Sequence, residues 1–167
     1  MNFGQLIEHL LSEAEELRKK DRAYIAFIIL TLVIEMLGKC LDPANDWNDP
    51  NNSATQFRNA LHELQGLNKY ERYNYNHNHN GNYFCSVVRC GLHHSGIPAG
   101  TSLMLSSQDN DLNNNIIGCT ELCRDVRNAL VELKQRNNPR LSEEVLTIDE
   151  VTGTTGATRE TKTIKAK

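Results

Sequence analysis

Arginine and histidine crowd one short stretch of this sequence, Arg89-Cys90-Gly91-Leu92-His93-His94. On a helix Arg89 and His93, four residues apart, share a face. His94 then stands about 140° round the axis from Arg89. A guanidinium complements phosphate oxygens with two parallel hydrogen bonds, and an imidazole that titrates near neutrality can take or give a proton. The combination suits chemistry at a phosphate. Gly91 costs a helix interior roughly 1 kcal/mol relative to Ala, so its presence implies close approach by another helix or a second subunit. Gly96-Ile97-Pro98 ends the helix, which leaves His94 near a helix C-terminus, where positive charge is favoured.

Other residues could support or imitate such a site. Glu35 is the one charge in the apolar run from Ala23 to Leu37. An unpaired carboxylate there would be costly, and Arg89 is its expected partner. That pair could equally be structural, since a buried ion pair fixes geometry without implying catalysis. A thiol nucleophile at Cys90 is a third chemistry, but no paired base or oxyanion hole accompanies it. The stretch from Tyr70 to Asn82 reads as an irregular, solvated loop in which Tyr73, Tyr75, His77 and His79 alternate with Asn. If extended, it carries those rings on one side. With Arg72 nearby, Tyr73 and Tyr75 could stack on unpaired RNA bases; a plain Asn-rich surface loop is the duller reading. His77-x-His79 lacks a third metal ligand, so neither a metal site nor a cofactor is expected.

Charge is unevenly spread. Residues 1–57 carry 5 basic and 9 acidic side chains, residues 58–94 carry 4 and 2, and residues 95–167 carry 9 and 10. Five of the six histidines lie in the middle segment. Positive potential there would receive an anionic ligand locally, whereas the net charge of -3 argues against broad nucleic-acid affinity. The five cysteines, Cys40, Cys85, Cys90, Cys119 and Cys123, show no Cys-x-x-Cys spacing, which suits a reduced, intracellular protein. Cys119 and Cys123, at i and i+4, read as a core stripe. No basic segment followed by a short apolar run opens the chain, and the apolar run ending at Leu37 is too short to span a bilayer. A soluble, cytoplasmic protein is expected.

The elements that must position these residues are helices. Phe3, Leu6, Ile7, Leu10, Leu11, Ala14 and Leu17 recur at three- and four-residue steps. Asp21 is a candidate cap for a second, largely apolar helix from about Arg22 to Leu41. The two should fold back as a hairpin, because one rod would leave the second without packing. After an Asn- and Pro-rich loop, Ser53-x-x-Gln56 resembles a capping box for a third helix, with Phe57, Leu61 and Leu64 inward. Helical spacing returns from Tyr83 to about Gly96 through Phe84, Val87, Val88 and Leu92. Thr120 is a candidate cap for a last helix to about Gln135. The expectation is a mainly α fold: a four- to five-helix up-and-down bundle with a short β-hairpin near residues 101–118. The bundle should occupy residues 1–137. Residues 138–167 read as an extension with an edge strand from Leu146 to Val151 and a mobile tail.

Within that bundle, Arg-x-x-x-x-His in a late helix resembles the HEPN superfamily of bacterial toxins and defence proteins. Val88-Arg89-Cys90-Gly91-Leu92-His93-His94-Ser95 looks like the Arg-Cys-Gly-Leu-x-His segment of bacterial HEPN-like proteins, and Glu35-x-x-Gly38-Lys39 ends the second helix. The likeness spans about residues 1–137 by helix order and about ten residues by motif. It implies a homodimer in which the Arg/His helices of both subunits meet in one cleft, and in toxin members an antitoxin protein as a further partner. It also implies metal-independent endoribonuclease activity. Arg89 would hold the scissile phosphate, and His94 would serve as general base or acid for attack by the RNA 2′-hydroxyl. His93, Glu35 and Cys90 would be supporting residues. Active members often carry Asn, Asp or His directly after the arginine, where this chain has Cys90; non-cleaving HEPN-like binding modules for RNA, nucleotide or a partner protein are the alternative.

Overall fold

The computed structural model describes residues 1–42, 52–74, 84–95 and 103–145, without the side chains of His94 and Ser95. It is mainly helical with one small two-stranded sheet. Helix α1 spans Phe3–Lys19, and its apolar stripe buries Phe3, Ile7, Leu11 and Ala14. Asn2 and Gln5 start it reciprocally: the Gln5 amide donates to Asn2 Oδ1 at 2.8 Å, and the Asn2 amide donates to Gln5 Oε1 at 2.9 Å. That is a capping box, which satisfies two of the first-turn donors.

Helix α2, Ala23–Leu41, folds back against α1 and packs on α3 and α5 as well. Asp21 makes the turn by adopting φ 57°, and Arg22, not Asp21, is the N-cap. By length and composition alone α2 could cross a membrane, but 61% of its most apolar window is buried within the fold. Its neighbours in the fold cover that part of its surface.

Helix α3, Ser53–Glu63, crosses α2 at Gly38, where a Cβ would lie 1.8 Å from the Gln56 carbonyl oxygen. The expected Ser53/Gln56 capping box does not form: Asn52 is the N-cap, its side chain does not cap the helix, and Gln56 is buried. A 3-10 segment follows at Asn68–Tyr73. This corrects the solvated-loop expectation over residues 70–74, because Tyr70 and Tyr73 are both fully buried; the rest of that stretch lies outside the described residues. The Tyr70 hydroxyl donates to Asp125 Oδ2 at 2.7 Å and accepts from Asn110 Nδ2 at 2.9 Å. Burial, and then the charge of Asp125, push its pKa up against the opposing hydrogen bond from Asn110.

A π-helical turn, Phe84–Cys90, runs directly into the short helix α4, Gly91–Ser95. Phe84 meets Phe57 edge-to-face, with ring centroids 5.4 Å apart, and lies 5.7 Å from Tyr70, an arrangement aromatic rings prefer. Strands β1, Met104–Ser106, and β2, Ile116–Gly118, occupy the place expected for the two-stranded element. They run parallel, with Met104 opposite Ile116, so they do not form a hairpin in the antiparallel sense. The chain between them makes its reversals within the connection, through a bridge from Asp111 to Ile116 and a left-handed Asn115.

Helix α5, Cys119–Gln135, buries Leu122, Cys123, Val126, Leu130 and Leu133. Its N-cap is Gly118, not Thr120, whose hydroxyl instead donates to the Ser107 carbonyl at 3.3 Å. Beyond α5, Pro139–Ser142 buries Leu141 against the bundle, and Glu144 bridges Asn2. The expected strand from Leu146 to Val151 and the tail lie outside the described residues.

Candidate functional site

The site begins with Glu35. Helix α2 carries it on a buried face near the α3 crossing, with its side chain only 5% exposed. Its carboxylate meets three partners. Arg89 approaches from the π-helical turn, with Nη2 2.6 Å and Nε 2.8 Å from Oε2. Ser53 approaches from the first residue of α3, its hydroxyl donating to Oε1 at 2.9 Å. Lys39, one turn along α2, stands 3.8 Å from Oε1. Ser53 Oγ also accepts from Arg89 Nη2 at 3.3 Å, closing a ring of hydrogen bonds.

This arrangement orients Arg89 firmly. Nε and Nη2 face Glu35 and Ser53, while Nη1 points to Cys90 Sγ at 4.0 Å. The Arg89 side chain is 16% exposed. Partial burial opposes its charge, but the hydrogen bond and charge of Glu35 outweigh that, and its pKa is raised further. A guanidinium fixed on one edge by a carboxylate can present its remaining edge to an anion without reorganising.

His93 is exposed in α4, and its Nε2 lies 3.3 Å from both the Ile28 carbonyl oxygen and Thr31 Oγ1 on α2. The contact ties α4 to α2. His94 follows in the same helix, five residues beyond Arg89; its side chain lies outside the described residues. The expectation of a regular helix through Arg89 is corrected, because the chain is π-helical up to Cys90 and α-helical only from Gly91. Cys90 is half-buried beside the guanidinium.

Several expected participants stand elsewhere. Tyr73 is buried, its hydroxyl donating to the Leu112 carbonyl at 3.0 Å, so its ring serves the core and cannot stack on a base. Arg72 lies over the Tyr73 ring, 5.4 Å from its centroid. Tyr75, His77 and His79 fall outside the described residues. Part of the positive excess of the middle segment is matched by an ion pair, Lys69 with Asp125 at 2.9 Å, while Arg58 bonds the neutral Thr55 hydroxyl and Ala54 carbonyl. Among the described residues no group of three or more His, Cys, Asp or Glu gathers as metal ligands.

Sequence reasoning found Glu35 and Arg89 but missed Ser53, which it took for a helix cap. Its polar type after an Asn-rich loop carries no local sign that its hydroxyl turns inward. No family model matches the chain, and no curated protein or solved structure is significantly similar to it.

Proposed function

We propose that this chain is an HEPN-like, metal-independent endoribonuclease of toxin or phage-defence type, acting in the cytoplasm as a homodimer. The observation that carries the reading is Arg89 held by Glu35 and Ser53 in the turn that runs directly into the helix bearing His94. Arg89 binds a non-bridging oxygen of the scissile phosphate. His94 takes the proton from the adjacent 2′-hydroxyl, whose oxygen attacks phosphorus. The bond to the 5′-oxygen breaks, that oxygen receives a proton, and the products are a 2′,3′-cyclic phosphate and a 5′-hydroxyl. Charge growing on the phosphate oxygens is what a preoriented guanidinium stabilises best. His93, exposed in the helix that follows, supplies a second phosphate contact. Cys90 replaces the polar residue that often follows the arginine in active members.

A second copy completes the cleft. Helix α2 exposes Tyr24, Ile25 and Leu32 on the side where His93 docks on Ile28 and Thr31. An exposed apolar face on the helix where α4 docks suits a two-fold contact that brings two such helices together.

A second reading is favoured by the same ion pair. Arg89 is largely covered, and its bonds to Glu35 and Ser53 would serve a non-catalytic binding module equally well. Incubation of a mixed RNA pool with the chain in EDTA separates the two. Cleavage that is lost in both Arg89→Ala and His94→Ala, with fold and assembly intact, supports the enzyme. Absence of cleavage by the unaltered chain, or equal cleavage by the variants, leaves the binding module.

A further inference from the structure

All five cysteines are free thiols, and only one of them, Cys90, is more than marginally exposed. It closes the π-helical turn that Cys85 nearly opens. In an α-helix, residues five apart point about 140° away from each other. In the i→i+5 pattern of a π-helix they come about one turn apart on one side, and Cys85 and Cys90 stand at that spacing within the π-helical turn. The π-turn thus makes a vicinal dithiol out of two cysteines that a regular helix would keep apart. On its other side Cys90 meets the Arg89 guanidinium.

We propose that Cys90 is an oxidation site for a small hydroperoxide, with Cys85 as the resolving thiol. The Cys90 sulfur attacks the distal peroxide oxygen, the O–O bond breaks, and hydrogen peroxide leaves as water, giving a sulfenic acid. The Cys85 sulfur then attacks the Cys90 sulfur. Its proton passes to the departing hydroxyl, which leaves as a second water, and an S–S bond joins the two residues. Two thiols and one peroxide become one disulfide and two waters, so the step balances.

The two roles follow from the surroundings. Cys90 can meet a solute. Cys85 is buried, and burial pushes its thiol up to about 12, so it stays protonated and waits for the sulfenic acid beside it. The molecule carries its own control. Cys119 and Cys123 are a second pair, one α-helical turn apart in α5, but both are buried where peroxide has no access. Cys40 is buried and belongs to neither pair, and burial raises it likewise to about 12.

The site does not depend on the ribonuclease reading, and its test reads sulfur chemistry alone. The reduced full chain is treated with hydrogen peroxide, unfolded, digested after Arg and Lys, and mapped by mass spectrometry. Arg89 lies between the two cysteines, so cleavage there leaves their peptides joined only through the bridge. The expected result is a Cys85–Cys90 link that reductant removes and that Cys90→Ser abolishes. In Cys85→Ser the expected product is a Cys90 sulfenic acid, captured by dimedone. Even-handed oxidation of all five thiols in the unaltered chain, or a first bridge between Cys119 and Cys123, overturns the proposal without requiring any variant to fold.

Discussion

One carboxylate, that of Glu35, holds Arg89, Ser53 and Lys39 together, and the three donors come from three different elements. Removing it strands a poorly solvated guanidinium. Breaking a buried pair from one side costs about 3–5 kcal/mol, because the remaining charge is left without compensation. Glu35→Ala is therefore expected to lower the unfolding free energy by about that amount, measured as a fall in the urea midpoint at constant slope. Ser53→Ala removes a hydrogen bond to a charged group and should cost about 2 kcal/mol. If Glu35→Ala unfolds at the wild-type urea concentration, the ion pair does not form in solution. In the ribonuclease reading both changes also loosen the aim of Arg89, so cleavage should fall further than the unfolded fraction explains. The Glu35–Arg89 pair was legible in the sequence because a lone charge in an apolar helix demands an opposite partner. The choice of Ser53 as a third member was not, because nothing in its neighbourhood requires its hydroxyl to leave the helix end.

Elements meet most tightly where α2 crosses α3. At Gly38 a Cβ would lie 1.8 Å from the Gln56 carbonyl oxygen and 2.4 Å from its carbon, and backbone cannot yield as a flexible side chain can. Gly38→Ala must push the helices apart and draw Ser53 away from Glu35. Overpacking of this kind costs about 1–3 kcal/mol or somewhat more. A loss near the top of that range is expected in urea unfolding, together with weaker protection of the α3 amides from hydrogen exchange. A variant as stable as the wild type would mean that the helices do not approach this closely. The helix starts show why element boundaries were harder to read than helix faces. Asp21, Ser53 and Thr120 all have capping side chains, yet none caps. Asp21 takes a left-handed turn, Ser53 binds Glu35, and Thr120 binds the Ser107 carbonyl and receives Arg18 Nη1 at 3.3 Å. A hydroxyl bonds whichever polar group the tertiary fold offers, and the local amide is only one competitor. At Asn2 and Gln5 no such competitor intervenes, and the box forms.

The whole molecule leaves Tyr24 and Ile25 more than two-fifths exposed on the helix that otherwise supplies most of its core. If that face meets a second copy, Ile25→Glu places two carboxylates across the two-fold axis. Sedimentation should then show a dimer for the wild type and a monomer for the variant, with thermal stability of each subunit nearly unchanged because the position is exposed. A wild-type chain that sediments as a monomer at concentrations where it cuts RNA would sink the shared-cleft arrangement while leaving Arg89 and His94 to their own test.

Helix existence and inward faces depend on residues three and four apart, so the order of the chain alone determined α1, α2 and α5, their buried stripes, and the mainly α class. The need of Glu35 for a cation is likewise a property of its own helix. The tertiary structure decided what depends on distant neighbours: Tyr73 in the core instead of on a loop, the parallel direction of β1 and β2, and the π-turn that sets Cys85 and Cys90 on one side. It also decided the partners of each hydroxyl. The physical reason is range. Periodic burial repeats along the chain and is visible in any short window, whereas a hydrogen bond or a close backbone contact is made once, between residues tens of positions apart, and leaves no local pattern.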